Sequence, residues 1–247
     1  IRIGENFIHE NFGASMLLLL PGLVCDSRIY APQLAAFEDA RAIDGYGRAD
    51  TLQAMAWMAL DLADAEGAET FDLLGHSMGG RVALEVFRLA PGRVRRLGLM
   101  STGTHPLRAG EPAKRAALQA IGYDQGYPAL IDAWLPPMVA EANRADPAIY
   151  APMRQMCLDA GQDVFDAQIR ALLARPEQAG LLPLIGCPTL VLTGALDTWS
   201  PPAQHEEIAA AIPDAELVIV PGAGHMIQRE APEAVNDAIA GWLGRAA

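Results

Sequence analysis

A chain of 247 residues, 51% of them hydrophobic, is long enough for one sizeable globular domain with its own core and too apolar for disorder. Its 18 Lys and Arg against 30 Asp and Glu leave a formal net charge of −12, which repels phosphate backbones and anionic lipid heads and argues against nucleic-acid or membrane partners. The three scattered cysteines, Cys25, Cys157 and Cys187, form neither an even disulfide set nor a metal-ligand pattern, so reduced thiols in a cytoplasmic protein are expected.

The first apolar run, residues 15–20, continues into Pro21-Gly22-Leu23-Val24-Cys25. It lacks a basic flank and a small residue before the cysteine, and it is too short to cross a bilayer. It therefore reads as a fully buried strand, not a signal or lipoprotein segment. Residues 51–65 follow as an amphipathic helix capped by Thr51. Next comes an apolar strand around Leu73 and Leu74, then a helix over 78–89 and a strand over 96–100. The interval 104–182 breaks this alternation. It offers helical stretches at 113–121, 127–134, 148–160 and 164–174, punctuated by Pro112, Pro128, Pro136-Pro137, Pro147 and Pro176, and no convincing strand. Strands over 189–193 and 216–220 then alternate with helices over 202–212 and 232–243. Strands alternating with helices imply a mostly parallel, doubly wound sheet, so an α/β core over 1–103 and 183–247 is expected, with 104–182 inserted as a helical lid.

Chemistry concentrates at Phe71-Asp72-Leu73-Leu74-Gly75-His76-Ser77-Met78-Gly79-Gly80, which sets one serine between two glycines where a strand meets a helix. A serine hydroxyl needs exposure and a neighbouring base to act as a nucleophile. The strained turn supplies exposure, and side chains two residues before or after the serine would collide with their surroundings. The base and its orienting carboxylate are sought past the carboxyl ends of later strands, where Asp197 follows 189–193 and His225 follows 216–220 on a glycine-rich loop. Asp214 and Asp124 compete with Asp197. His9, His76, His105 and His205 compete with His225, although His76 is expected to point away along the turn and His205 to be solvated on a helix.

Leu17-Leu18-Leu19-Leu20-Pro21-Gly22, the elbow at Gly75 to Gly80, Gly194-Ala195-Leu196-Asp197 and Gly222-Ala223-Gly224-His225 together resemble the α/β-hydrolase fold superfamily over almost the whole chain, in the order Ser, Asp, His. The resemblance implies Ser77 as nucleophile, His225 as general base and later acid, and Asp197 as orienting carboxylate. It also implies an oxyanion hole from the backbone N–H groups of Met78 and Leu23. Pro21 stands where relatives usually carry histidine, so this loop is held without that imidazole. Arg81, four residues past the serine, either ties loops together or contacts substrate, as Gly-Arg does in relatives acting on carboxylated substrates. Arg28 has a weaker claim of the same kind. Trp134, Pro136, Pro137, Met138, Met153 and Met156 either line an acyl pocket or pack the lid, and Trp199 lies near the acid loop.

The expected activity is a cofactor-independent, metal-free serine hydrolase acting on a small carboxylic ester, lactone or thioester, as monomer or homodimer. One alternative keeps the triad but performs C–C lyase chemistry of the menaquinone-pathway type. It requires a cationic pocket, for which Lys114, Arg115, Arg144 and Arg154 are candidates. A third is a slow-turnover ligand receptor or signalling protein on the same scaffold. An aspartate-nucleophile mechanism is disfavoured because position 77 is serine.

Overall fold

The computed structural model describes residues 16–247. Six strands, β1 (Leu17–Leu20), β2 (Ala40–Ala42), β3 (Phe71–His76), β4 (Val94–Met100), β5 (Thr189–Gly194) and β6 (Ala215–Val220), form one sheet in the order β2-β1-β3-β4-β5-β6. Every pairing is parallel. All residues of β1, β3 and β5 are buried, which is why these strands read as unbroken apolar runs and not as alternating ones. Chain order reverses direction between β1 and β3, and the crevice at such a switch point is where parallel sheets place ligands.

Helix α1 (Ala31–Ala36) lies in the connection from β1 to β2, which crosses the sheet in the opposite direction from those through α2 (Leu52–Ala65) and α3 (Met78–Leu89), so right-handed crossovers put α1 on the opposite face. In agreement, α2 packs on α3 whereas α1 packs on the C-terminal helix. Helix α2 begins where Thr51 Oγ1 accepts the Ala54 N–H at 3.1 Å, as its sequence implies. It buries Leu52, Met55, Ala56, Ala59, Leu60 and Ala63, one face at helical spacing. Helix α3 is buried from Met78 to Phe87 because it packs against strands β1, β3 and β4 and against α2.

Between β4 and β5 lie α4 (Glu111–Gln125), α5 (Tyr127–Trp134), α6 (Glu141–Arg144), α7 (Pro147–Ala160) and α8 (Gln162–Leu173), and no strand is present in this interval. Pro112, Pro128 and Pro147 each sit in the first turn of a helix, where the missing N–H costs nothing, so they start elements. Trp134 meets Phe165 edge-to-face with centroids 6.1 Å apart, and Asp166 joins α4 to α8 by accepting from Gln119 (2.6 Å) and Tyr123 (2.5 Å). Leu130, Ile131 and Trp134 of α5, Met153 and Met156 of α7 and Phe165 and Ile169 of α8 belong to the same apolar cluster as the sheet. The chain closes with α9 (Pro202–Ala211), α10 (Ile227–Glu230) and α11 (Pro232–Leu243), whose Trp242 Nε1 donates to Pro188 O at 3.0 Å.

Most predicted elements agree within two residues. Strand β2 was not expected, since Ala40-Arg41-Ala42 presents no apolar run and sits at the sheet edge. Ser15, expected to open the first strand, and His9 lie outside the described residues. His205, expected on a solvated face, is fully buried: its Nδ1–H donates to Pro201 O (3.2 Å) and its Nε2 accepts the Thr102 N–H (3.0 Å). His76 does not swing clear of the site. It is buried, donates from Nε2 to the carbonyl of His225 at 2.9 Å, and packs its ring against that of His225.

Two outcomes follow from this packing. A Cβ on Gly79 would lie 2.1 Å from Leu20 O and 2.6 Å from Pro21 O, backbone atoms that cannot retreat singly. Gly79→Ala is therefore expected to cost about 3 kcal/mol or more in urea denaturation, the upper range for overpacking. Burial first, and then nearby His225, lowers the pKa of His76 to about 3, and burial lowers that of His205 to about 4. In the unfolded chain both bind protons near 6.5, so between about pH 4 and 6.5 the unfolded state holds more protons and stability rises with pH. Unfolding free energy should drop by about 1.4 kcal/mol per pH unit for each histidine as pH falls through that window. A flat profile between about pH 7 and 5 would contradict the buried neutral assignment.

Candidate active site

Ser77 occupies the turn between β3 and α3 with φ 55° and ψ −116°, a conformation that side-chain-bearing residues rarely adopt. The turn is held on several sides. Ser77 N–H donates to Met100 O at 2.9 Å, and the Thr102 hydroxyl donates to Ser77 O at 2.6 Å. A side chain on Gly75 would collide with Gly79 O at 2.1 Å, so the strand and helix arms of the elbow touch through bare backbone.

Three distant segments converge on this serine. His225 Nε2 lies 2.9 Å from Ser77 Oγ, and His225 Nδ1 lies 2.8 Å from Asp197 Oδ2. With the Nδ1 proton facing the carboxylate, Nε2 is left to accept from the serine hydroxyl. Asp197 Oδ1 accepts the N–H groups of Trp199 (2.8 Å) and Ser200 (2.9 Å), so both carboxylate oxygens are engaged. Burial alone would raise its pKa, but His225 and the two amides outweigh burial and hold it below the ordinary value. Neither rival carboxylate bonds to His225: Asp214 pairs with Arg245, and Asp124 lies on α4 outside the cavity lining.

The histidine loop is fixed by a residue that sequence reasoning missed. Glu230, buried on α10, accepts from Gly224 N (3.1 Å) and Met226 N (3.0 Å) on either side of His225, and from Ala140 N (2.8 Å) and Asn143 Nδ2 (2.9 Å). His225 N–H itself donates to Met138 O at 2.7 Å. Thus the segment joining α5 to α6 and the loop carrying the imidazole share one set of hydrogen bonds. The five-residue spacing from His225 to Glu230 was the available signal.

Leu23 and Met78 border the same cavity as Ser77. Gly79 rests on the carbonyls of Leu20 and Pro21, which draws the start of α3 against the loop after β1. In place of an imidazole at position 21, that loop is anchored by Gln168 Oε1 of α8, which accepts Val24 N–H at 2.7 Å, and by Tyr30 OH donating to Leu20 O at 2.8 Å.

The cavity has a volume of about 370 Å³ and runs from Ser77 and His225 to the helical segment. Trp134, Met138, Leu118, Leu172 and Trp199 give it apolar walls, whereas Pro136 and Pro137 are absent from its lining. Met153 and Met156 line a separate cavity beside Arg28 and Arg229. Arg28 is bound to Asp26 and Asp159 at the surface. Arg81, Lys114 and Arg115 line the same cavity as Ser77, and so does Arg108, which had not been singled out. Arg144 instead donates to Pro136 O, and Arg154 pairs with Asp132. Among the described residues no group of three or more His, Cys, Asp and Glu is arranged to hold a metal ion, and no helix is long and apolar enough to cross a membrane.

An esterase from Thermogutta terrifontis, solved with malate bound, superposes with a TM-score of 0.86 at 31% identity, covering 93% of this chain and 89% of its own. The dihydrolipoyllysine-residue acetyltransferase component of the acetoin cleaving system of Pseudomonas putida is 34% identical over 90% of this chain, and the chain spans 58% of that relative's length. A putative carbamate hydrolase of Pseudomonas savastanoi is 28% identical, covering 87% of this chain and 88% of that protein. The alpha/beta hydrolase family model matches residues 15–238, and the chain belongs to that family.

Proposed function

We propose that this chain is a serine hydrolase that cleaves small carboxylic esters, lactones or thioesters through an acyl-enzyme. The observation that carries the reading is one continuous relay, Asp197 Oδ2 to His225 Nδ1 at 2.8 Å and His225 Nε2 to Ser77 Oγ at 2.9 Å, opening on a cavity with apolar walls. Ser77 Oγ attacks the substrate carbonyl carbon as His225 Nε2 takes its proton. The negative oxygen of the tetrahedral intermediate is received by the N–H groups of Met78 and Leu23. His225 then gives its proton to the departing alcohol or thiol. Water, deprotonated by the same nitrogen, attacks the acyl-enzyme, and the acid leaves with Ser77 restored. Asp197 holds the Nδ1 proton throughout and stabilises the imidazolium. The esterase among the relatives supports the ester assignment, and carbamates, with a similar acyl carbon, belong in the same substrate panel.

Ser77→Ala should reduce kcat on short p-nitrophenyl esters by roughly 10⁴-fold or more, with an unchanged far-ultraviolet dichroism spectrum. Retention of most of the turnover would remove Ser77 from the reaction. Glu230→Gln replaces an acceptor oxygen with an N–H₂ facing the same donors. It should lower kcat by about tenfold or more through misplacement of the imidazole, with KM changed far less. An unaltered kcat in that variant would show that the loop keeps its geometry without the carboxylate.

A further inference from the structure

A second cavity, of about 180 Å³, lies where the 3₁₀ turn Ser27–Tyr30, α7 and α10 meet. It shares no lining residue with the cavity of Ser77, and the relay from Asp197 to Ser77 makes no use of it. Ile29, Met153 and Met156, all fully buried, give it an apolar wall. Its polar lining is Gln155 and two arginines, Arg28 and Arg229.

The two arginines differ in what they are bonded to. Arg28 Nε and Nη2 donate to Asp26, and its Nη1 donates to Asp159 Oδ2 at 2.7 Å, so all three nitrogens of that side chain are engaged. Gln155 Nε2 donates to the other oxygen of Asp159, also at 2.7 Å. Arg229 is half-buried on α10, and among the described residues its guanidinium has neither a salt bridge nor a hydrogen bond. Burial lowers its pKa, with no acid opposing the shift. Glu230, its neighbour in sequence, is turned instead to the His225 loop, where it accepts the Gly224 and Met226 N–H groups. A guanidinium drawn partly out of water without an acceptor is incompletely compensated, and an anion seated in the cavity would supply acceptors.

We propose that this cavity binds a small aromatic monocarboxylate of the benzoate class, with its two oxygens on the Arg229 guanidinium and its ring against Ile29, Met153 and Met156. The guanidinium offers paired N–H groups in one plane, which match the two oxygens of a carboxylate. Methionine sulfur packs favourably at ring edges, and a cavity of about 150 Å³ is already large enough for a benzene ring. With Asp26 and Asp159 beside Arg28, two acids stand against two bases, so no surplus of positive charge is present for a phosphate dianion. The assignment is independent of the hydrolase reading, because it concerns a separate cavity and is read by binding alone.

The test titrates benzoate into the full chain by calorimetry and follows methionine methyl groups by NMR, with signals assigned through single methionine-to-leucine variants. Benzoate should bind with a Kd of about 1 mM or tighter, and neutral benzamide should bind about tenfold or more weakly. The Met153 and Met156 signals should move, while those of Met78 and Met138, which border the cavity of Ser77, stay in place. Arg229→Gln should weaken benzoate binding by about tenfold or more, and Arg229→Lys should keep part of the affinity. If all four signals move, those of Met153 and Met156 alone should cease to respond in Arg229→Gln. Movement confined to Met78 and Met138 puts benzoate beside Ser77 and overturns the proposal. So does benzamide or inorganic phosphate binding as tightly as benzoate, an unchanged affinity in Arg229→Gln, or no binding at about 10 mM. Should Arg229→Gln fail to fold, the methyl shifts and the benzamide comparison on the native protein decide. Absence of ester turnover would count against the hydrolase reading and leave this result as it stands.

Discussion

The structure depends on how closely two pieces of backbone can approach at the carboxyl edge of the sheet. Gly79 rests against the carbonyls of Leu20 and Pro21, and Gly75 rests against Gly79, with no room at either position for a methyl group. This contact forces Ser77 into its left-handed conformation and lifts its hydroxyl out of the sheet. It also brings the first amide of α3 beside the loop after β1. A looser approach would separate Ser77 from the Leu23 amide that the proposed mechanism uses for the developing charge, and such geometry tolerates displacement of only about 1 Å.

The rest of the machinery is held against this fixed point from two directions. Strands β5 and β6 deliver Asp197 and His225 because they are consecutive in the parallel sheet and end at the same edge. The helices between β4 and β5 contribute from the other side. Gln168 of α8 holds Val24 in the β1 loop, while Met138, Ala140 and Asn143 meet the histidine loop around the Glu230 carboxylate. Displacement of these helices would disturb both the His225 loop and the β1 loop, so access to the cavity and the alignment of Ser77, His225 and Asp197 draw on the same contacts. Packing within one continuous apolar cluster resists such displacement.

Charge is distributed with the same economy. The acidic exterior favours solubility, whereas the cavity collects arginines from α3, from the loop before α4 and from α4 itself. Histidines are kept neutral where they serve as structural donors and acceptors: His76 braces the His225 carbonyl, and His205 joins α9 to Thr102, which in turn supports Ser77. Burial provides that neutrality directly, since an uncompensated imidazolium would be unfavourable away from water.

The parallel sheet was legible because its central strands are buried on both faces and therefore read as unbroken apolar runs, whereas β2, three residues at the edge with little to bury, left no such trace. Ser77, Asp197 and His225 were legible for a related reason: each follows a strand directly, and glycines mark the turns. His205 was misread because one histidine on a helix does not reveal which face is covered. Glu230, Gln168 and Thr102 went unnoticed because most of their partners are backbone atoms that any residue could supply. Local periodicity and turn chemistry thus determined the elements and which side chains stand at the sheet edge. Tertiary packing alone decided that Arg81 would be buried with no salt bridge among the described residues and that Glu111 would be taken by Arg175. Charge pairing is settled by distances of a few ångströms between segments far apart in the chain, and no local pattern encodes those distances.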